Sequence, residues 1–359
     1  MAPRQLRGGG RLIVLYLYMI KIKFVNKYED IISVDNLLDA WKEFLRGKKK
    51  KADVQIFERN LMANIISLHQ DLKLKTYKHS VYEEFKISDP KPRVIHKAKV
   101  RDRLLHHAIY RHLYPFFTKT FISDSYSCRL GKGTHKAVKR FNDFYLKVSK
   151  NNTKQVWVLK CDIRKFFDSI NQEILLSILD VYIVDKEIMA LLRKIISSFY
   201  KNIAGVGLPL GNLTSQIFVN IYMNVFDQFM KHRLKAKYYI RYSDDFVILS
   251  DNKEWLEGVL VEIRIFLENK LKLSLHPNKV SINTFSSGVD FLGWVNFSEY
   301  KVLRTVTKKK MFRKLKENQK EETKASYLGM LSHGNGWKLT EIINNPGFKP
   351  VEFDGFNYS

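Results

Sequence analysis

Three observations in the 359-residue sequence predict an α+β fold, an antiparallel sheet with helices on one face. Tyr239-Ile240 and Phe246-Val247-Ile248-Leu249 are short β-prone runs on either side of Ser243-Asp244-Asp245, which reads as a hairpin. Val156-Trp157-Val158-Leu159 reads as a buried strand ending at Asp162. Helical spacing dominates elsewhere: Leu256, Leu260, Ile263, Phe266 and Leu267 predict a helix over 255–271 that covers the sheet. With 45% hydrophobic residues the chain can bury a large core, in two or three subdomains.

Charge narrows the function. Lys and Arg number 62 against 36 Asp and Glu, a formal net charge of +26, which points to a polyanion partner. A membrane role is not expected. The apolar run 12–20 is far shorter than a spanning helix and is followed at once by Lys21 and Lys23. Two cysteines, Cys128 and Cys161, favour a reducing, cytoplasmic interior.

In chain order, residues 1–30 read as a disordered leader or an upstream start-site extension, with Met19 as the alternative start. Leu37, Leu38, Trp41 and Leu45 predict a helix over 35–46, followed by Lys48-Lys49-Lys50-Lys51, read as solvated surface. Phe57, Leu61, Ile65 and Leu68 predict one further amphipathic helix with Asp53 as its cap. Pro90 and Pro92 bar a helix, so 85–96 reads as a hairpin carrying Lys86, Lys91 and Arg93. The next helix is expected to stop near Pro115; its neighbours His106 and His107 point apart, so a shared metal is not expected.

Arg129-Leu130-Gly131-Lys132-Gly133 is a basic Gly-rich loop that lacks the Walker spacing and opens a helix over 137–146. After Asp162 comes a turn, then a helix from near Asn171; of Phe166 and Phe167, one is expected to face the core. Helices over 172–183 and 186–199 lead to the block 205–216 and a helix bearing Phe218, Ile221, Tyr222, Val225, Phe226 and Phe229. Lys308, Lys309, Lys310, Arg313, Lys314 and Lys316 begin a basic helix, 327–337 adds a helix and turn, and 344–359 reads as a tail without a clear fold.

Adjacent carboxylates repel unless a cation neutralises them, and oxygen-only ligands suit Mg²⁺. A Ser-Asp-Asp turn alone reads equally well as a plain strand connection. Asp162 at the end of an earlier strand breaks the tie. Together, Asp162 and Tyr242-Ser243-Asp244-Asp245 resemble the reverse transcriptases, and the ordered blocks extend that resemblance over roughly 30–340.

The resemblance implies a right-hand polymerase: N-terminal helices and fingers over 31–154, a palm over 155–298 with fingers elements to about 215, and a short helical thumb over 299–343. It implies Asp162, Asp244 and Asp245 as catalytic residues and, with Ile163, as ligands of two Mg²⁺ ions, for which Mn²⁺ can substitute. Arg93, with Lys86 or Lys91 assisting, would grip the triphosphate. Phe167 would exclude a 2′-hydroxyl, and Gly211 would let the backbone approach the incoming pair. Arg129 would line the template path and Tyr242 would sit beneath the primer end. Phe291, Leu292 and Gly293 would grip the primer, and Lys279 is the candidate general acid.

Within the family, Leu210 stands where Gln is usual and Gln216 where Pro is usual. Leu-Gly-x-x-x-Ser-Gln resembles the enzymes of diversity-generating retroelements, which copy a template-repeat RNA with errors at adenines. That implies template RNA, a DNA primer or cDNA and dNTPs as partners, with a small basic accessory protein. The alternatives are a group II intron-like or retron-like reverse transcriptase, or a nucleic-acid-binding protein that has lost catalysis.

Overall fold

The computed structural model describes residues 22–88, 92–318 and 320–345. Of the proposed 1–30 leader, residues 1–21 with the alternative start at Met19 lie outside them, as do Lys91 and the tail from 346; residues 22–30 are not a disordered leader, since Phe24 and Tyr28 are buried in the core and Tyr28 opens a helix.

The N-terminal layer is helical. Helix α1 spans Tyr28–Ile32 and α2 spans Val34–Phe44; Ser33 caps α2 by accepting the Asn36 N–H. Leu37, Ala40, Trp41 and Phe44 bury one face of α2 at helical spacing. The single helix expected around 57–68 is instead two, α3 (Ala52–Arg59) and α4 (Leu61–Lys73). Asn60 breaks it at φ −120°, ψ 40°, and the Asn64 side-chain amide donates to the Phe57 carbonyl left open by the break (2.9 Å). Asp53 is not the cap of α3, which begins after Lys51; it pairs with Lys97 (2.7 Å) and Arg103.

Strands β1 (Glu83–Ile87) and β2 (Arg93–Lys97) form the expected hairpin, and α5 follows over Val100–Phe117. As expected, α5 ends near Pro115, which sits in its last turn, where Thr118 N–H still reaches the Tyr114 carbonyl. Helix α6 (Thr134–Val148) precedes β3 (Trp157–Asp162). Then come α7 (Phe166–Ser169), α8 (Gln172–Tyr182), α9 (Lys186–Ile196) and α10 (Leu213–Gln228), which ends in a π turn.

Strands β4 (Tyr239–Tyr242), β5 (Asp245–Ser250) and β6 (Ser281–Thr284) join β3 in an antiparallel sheet of order β4-β5-β3-β6. This is the sheet expected of a right-hand polymerase palm. Alternation along each strand gives it two apolar faces. Leu159, Cys161, Phe246 and Ile248 share a core with α10 and α11 (Lys253–Leu271), the expected helical cover. Val158, Ile240, Val247 and Leu249 pack with α6 on the other face, so the sheet is covered from both sides.

A three-stranded sheet of β7 (Val289–Phe291), β8 (Trp294–Asn296) and β9 (Lys301–Leu303) leads into the C-terminal helices α12 (Thr305–Glu317), α13 (Glu321–Leu331) and α14 (Trp337–Asn344), where the thumb was expected. The helix and turn expected over 327–337 are present: α13 runs on to Leu331 and the chain then turns before α14, with Gly334 against the Trp294 ring, where an added Cβ would stand 2.1 Å from ring carbon.

His106 and His107 do point apart: His106 Nε2 lies 3.2 Å from His79 Nε2, and His107 meets the edge of Phe44. Burial, then Lys48 and Arg103, push the His107 pKa from 6.5 down to about 4. The unfolded chain therefore takes up a proton at His107 that the folded chain refuses. Its contribution to stability is complete above pH 6.5 and is lost as pH falls towards 4. His107→Gln should flatten part of that decline, read as thermal midpoints between neutral pH and pH 4; an unchanged slope would contradict it.

Candidate active site

Strand register builds the site. β3 pairs with β5 so that Asp162 lies opposite Asp245 and Lys160 opposite Val247. β4 pairs with β5 so that Tyr242 also lies opposite Asp245. Directly opposed residues of an antiparallel pair share a face, so Asp162, Asp245, Tyr242 and Lys160 all project the same way. Ser243 and Asp244 form the two-residue turn, with Ser243 at φ +59°, as such hairpins require. The Asp244 carbonyl accepts the Ile163 N–H (3.1 Å), which stitches the turn to the end of β3.

What holds the turn from beneath is Arg241, which sequence reasoning missed. Its side chain is fully buried and forks onto Asp227 of α10, Nε to Oδ1 and Nη2 to Oδ2, both at 2.7 Å. Nη1 donates to the Ser243 carbonyl (3.1 Å) and Nη2 to Ser125 Oγ (3.2 Å), while Tyr239 Oη donates to Asp227 (2.7 Å). The signal was present: Tyr239 and Arg241 alternate onto the inward face, and Asp227 interrupts an apolar helix.

The carboxylates strain for a cation. Burial first, with Asp162, Asp244 and Asp290 adding, pushes the Asp245 pKa up to about 7 against the pull of Lys160. Burial, then Asp162, raises Asp244, opposed by a backbone hydrogen bond, Lys279 and Arg93. Asp245 Oδ1 is buried and accepts no hydrogen bond, an orphaned acceptor in an all-oxygen cluster that fits a hard divalent ion. Among the described residues no three His, Cys, Asp or Glu side chains form a ready-made metal cage. Such a site suits Mg²⁺, which draws its other ligands from substrate phosphates and water. The Ile163 side chain is buried, so only its backbone is available to the site.

The β1–β2 hairpin is clasped to this centre by the 210–212 segment. His96 N–H donates to the Leu210 carbonyl (3.0 Å), and the Asn212 amide returns a bond to the His96 carbonyl (2.8 Å). Gly211 sits at φ +110°, and a Cβ there would stand 2.7 Å from Ile95. Only Gly fits. Ile95 and Arg93 share a face of the ribbon, which agrees with the pull of Arg93 on Asp244. Lys86 pairs with Val94 and so stands on the opposite face; the structure does not bring it together with Arg93. Gln216 is half-buried in the first turn of α10.

Two further expectations change, those for Arg129 and Phe291. The Arg129 guanidinium is spent on carbonyls of its own loop, those of Ile122 (2.7 Å), Ser125 (3.0 Å) and Thr118 (3.3 Å), rather than facing a template. Phe291 is buried against Phe141, so only the Leu292-Gly293 turn of the expected primer grip is open to a ligand. Lys279 Nζ lies 2.8 Å from Asp162 Oδ1. Phe166 is the core ring, and Phe167 is half-buried edge-on to it. Tyr242 is half-buried too, its hydroxyl accepting from Thr134 Oγ1 (3.3 Å).

Residues 85–296, which hold all of these groups, match the family model described as Reverse transcriptase (RNA-dependent DNA polymerase). The chain belongs to the reverse transcriptase family. Its right-hand polymerase fold is that of the family. This reverse transcriptase is 26% identical over 255 residues to Protein YkfC of Escherichia coli, covering 59% of this chain and 66% of that one. It is 22% identical over 262 residues to the Group II intron-encoded protein LtrA of Lactococcus lactis subsp. cremoris, covering 54% and 42%. It thus spans less than two thirds of either relative. Among solved structures, a truncated apo telomerase from Candida tropicalis aligns at TM-score 0.44 and 16% identity, over 67% of this chain and 58% of that one.

Arg129 gives the sharpest check on the revised site. Arg129→Met should lower the thermal midpoint by the equivalent of about 1–3 kcal/mol, the cost of stranding buried carbonyls. The salt dependence of duplex binding should stay as it was. A slope reduced by roughly 0.9 would instead mark a lost phosphate contact.

Proposed function

We propose that the chain is an RNA-directed DNA polymerase that adds deoxynucleotides to a primer 3′-hydroxyl on an RNA template. The observation that carries this reading is the register-locked cluster of Asp162, Asp244 and Asp245, with its orphaned Asp245 oxygen, inside a reverse transcriptase domain. These carboxylates, with the Ile163 backbone, would hold Mg²⁺, or Mn²⁺ in its place. When bound, such ions supply Lewis-acid charge at the attacking hydroxyl and the triphosphate.

The chain's own residues do the rest. Arg93 offers a planar fork to phosphate oxygens from the face of the hairpin turned to Gly211. Phe167 presents a ring edge at the sugar, Tyr242 bears on the primer end, and Lys279 brings a proton within reach of the leaving group. The +26 charge supports a polyanionic template–primer. Among the described residues no helix is long and apolar enough to cross a membrane, and Cys128 and Cys161 are both free thiols.

On the finer question, Leu210 and Gln216 support a diversity-generating type that copies a template-repeat RNA with errors at adenines, aided by a small basic accessory protein. Leu210 keeps its main-chain bond to His96 but offers no amide to the nascent pair. A group II intron-like role is the second reading, favoured by the likeness to the intron-encoded LtrA.

Asp162→Ala and Asp244→Ala should each cut primer extension on the order of a thousandfold or more, with RNA binding and thermal midpoint nearly intact. Wild-type rates in either variant would remove the polymerase assignment. Leu210→Gln should improve fidelity by about three- to twelve-fold, the worth of one neutral hydrogen bond. Sequencing cDNA from a defined RNA reads both points. Errors no commoner at adenine than elsewhere would favour the group II-like reading.

A further inference from the structure

Lys160 lies two residues before Asp162 on β3 and projects onto the same face of the sheet. Its ammonium does not reach for solvent. Nζ donates to the main-chain carbonyl of Asp290, in the β7–β8 hairpin. The Asp290 carboxylate in turn takes Arg304 Nη1 (2.8 Å), and Arg304 N–H donates to the Gly293 carbonyl (3.1 Å) at the hairpin turn. Arg304 is the residue from which thumb helix α12 departs. On its other side Lys160 is the chief positive charge acting on Asp245. Charges thus alternate from Asp245 through Lys160 and Asp290 to Arg304, crossing from the catalytic strands to the thumb.

Resting on the polymerase reading, we propose that Lys160 is a positioning residue that ties the Leu292-Gly293 hairpin to the catalytic strands. The primer end and the carboxylates are thereby held in one frame. Apolar packing, with Phe291 on Phe141 in the cluster that also holds Val158, seats the hairpin, but Lys160 is the polar tie that reaches it from the strand of Asp162 itself. β6 and β7 belong to different sheets, and no ladder joins β3 to β7. A lysine is long enough to cross that gap, and a main-chain acceptor gives it an anchor that does not depend on the side chain at 290. Small displacements of a reacting group cost large factors in rate, so the tie should be felt at the primer and not at the nucleotide.

The test uses the full chain with a DNA primer on a defined RNA template. Lys160→Met keeps length and removes the donor; Lys160→Arg keeps a donor. Lys160→Met should raise the KM for primer–template and slow single-nucleotide addition by roughly tenfold to a hundredfold, leaving the KM for dNTP unchanged. Lys160→Arg should recover most of the loss. A primer ending in 2-aminopurine gives a readout without chemistry. Its fluorescence change on binding should be lost in Lys160→Met, while duplex affinity by anisotropy stays the same. If Lys160→Met does not fold, Lys160→Gln replaces it in both arms. Equal loss in the Arg and Met variants, or an unchanged primer KM and an unchanged fluorescence response, overturns the proposal. A wild-type chain that extends no primer removes the polymerase reading instead, and the fluorescence arm still decides the role of Lys160.

Discussion

The site depends on a buried ion pair that never touches substrate. Arg241 and Asp227 are both removed from water, which costs several kcal/mol per ion unless geometry and further hydrogen bonds compensate. Here they do: the fork is bidentate, and Tyr239, Ser125 and the Ser243 carbonyl take up further donors and acceptors of the pair. The Arg241 backbone is engaged as well, its N–H on the Asp124 carbonyl and its carbonyl on the Tyr126 N–H (both 3.0 Å). One residue therefore joins helix α10, the loop before α6 and the turn that presents Asp244. Removing one partner strands a buried charge, so the three elements are held together or lost together.

A second constraint is steric. The β1–β2 hairpin has only two strands, and such ribbons are at best marginally stable alone. Its order near the palm comes from the reciprocal bonds between His96 and the 210–212 segment, and from Ile95 seated on Gly211. This gives the Leu210-to-Gln216 block two jobs in one stretch of chain. Its backbone fixes the ribbon that carries Arg93, and its side chains stand beside the position proposed for the nascent pair. Substitution at 210 can change the second job and leave the first, because the bond to His96 uses a main-chain oxygen.

Much of this was legible in the sequence, for a physical reason. Strand alternation, Pro90 and Pro92, and adjacent carboxylates leave local marks, and the two hairpins and the strand ending at Asp162 stand where those marks put them. What the sequence hid were relations between segments. Lys86 and Arg93 look equivalent as basic residues of one hairpin, yet register sets them on opposite faces. Arg129 looks like a template contact until its loop folds back and offers three carbonyls. Phe291 lies in an aromatic-Gly motif, and only the tertiary fold shows that Phe141 covers it. The break at Asn60 was readable in principle, since Asn is a poor helix former, but apolar spacing across it continued without interruption.

Register also explains why stability and chemistry are one constraint in this palm. In β5, Asp245, Val247 and Leu249 face one way and Phe246 and Ile248 the other. A one-residue slip of β5 would turn Phe246 and Ile248 out of the core they share with α10, and turn Asp245 into it. Asp245 would gain a far more apolar setting with no partner there. The apolar residues on the face away from the site therefore fix where the carboxylates stand, and the bond from Ile163 N–H to the Asp244 carbonyl sets their last step along the strand. The same apolar packing that stabilises the sheet thus aims Asp162 and Asp245 at one point.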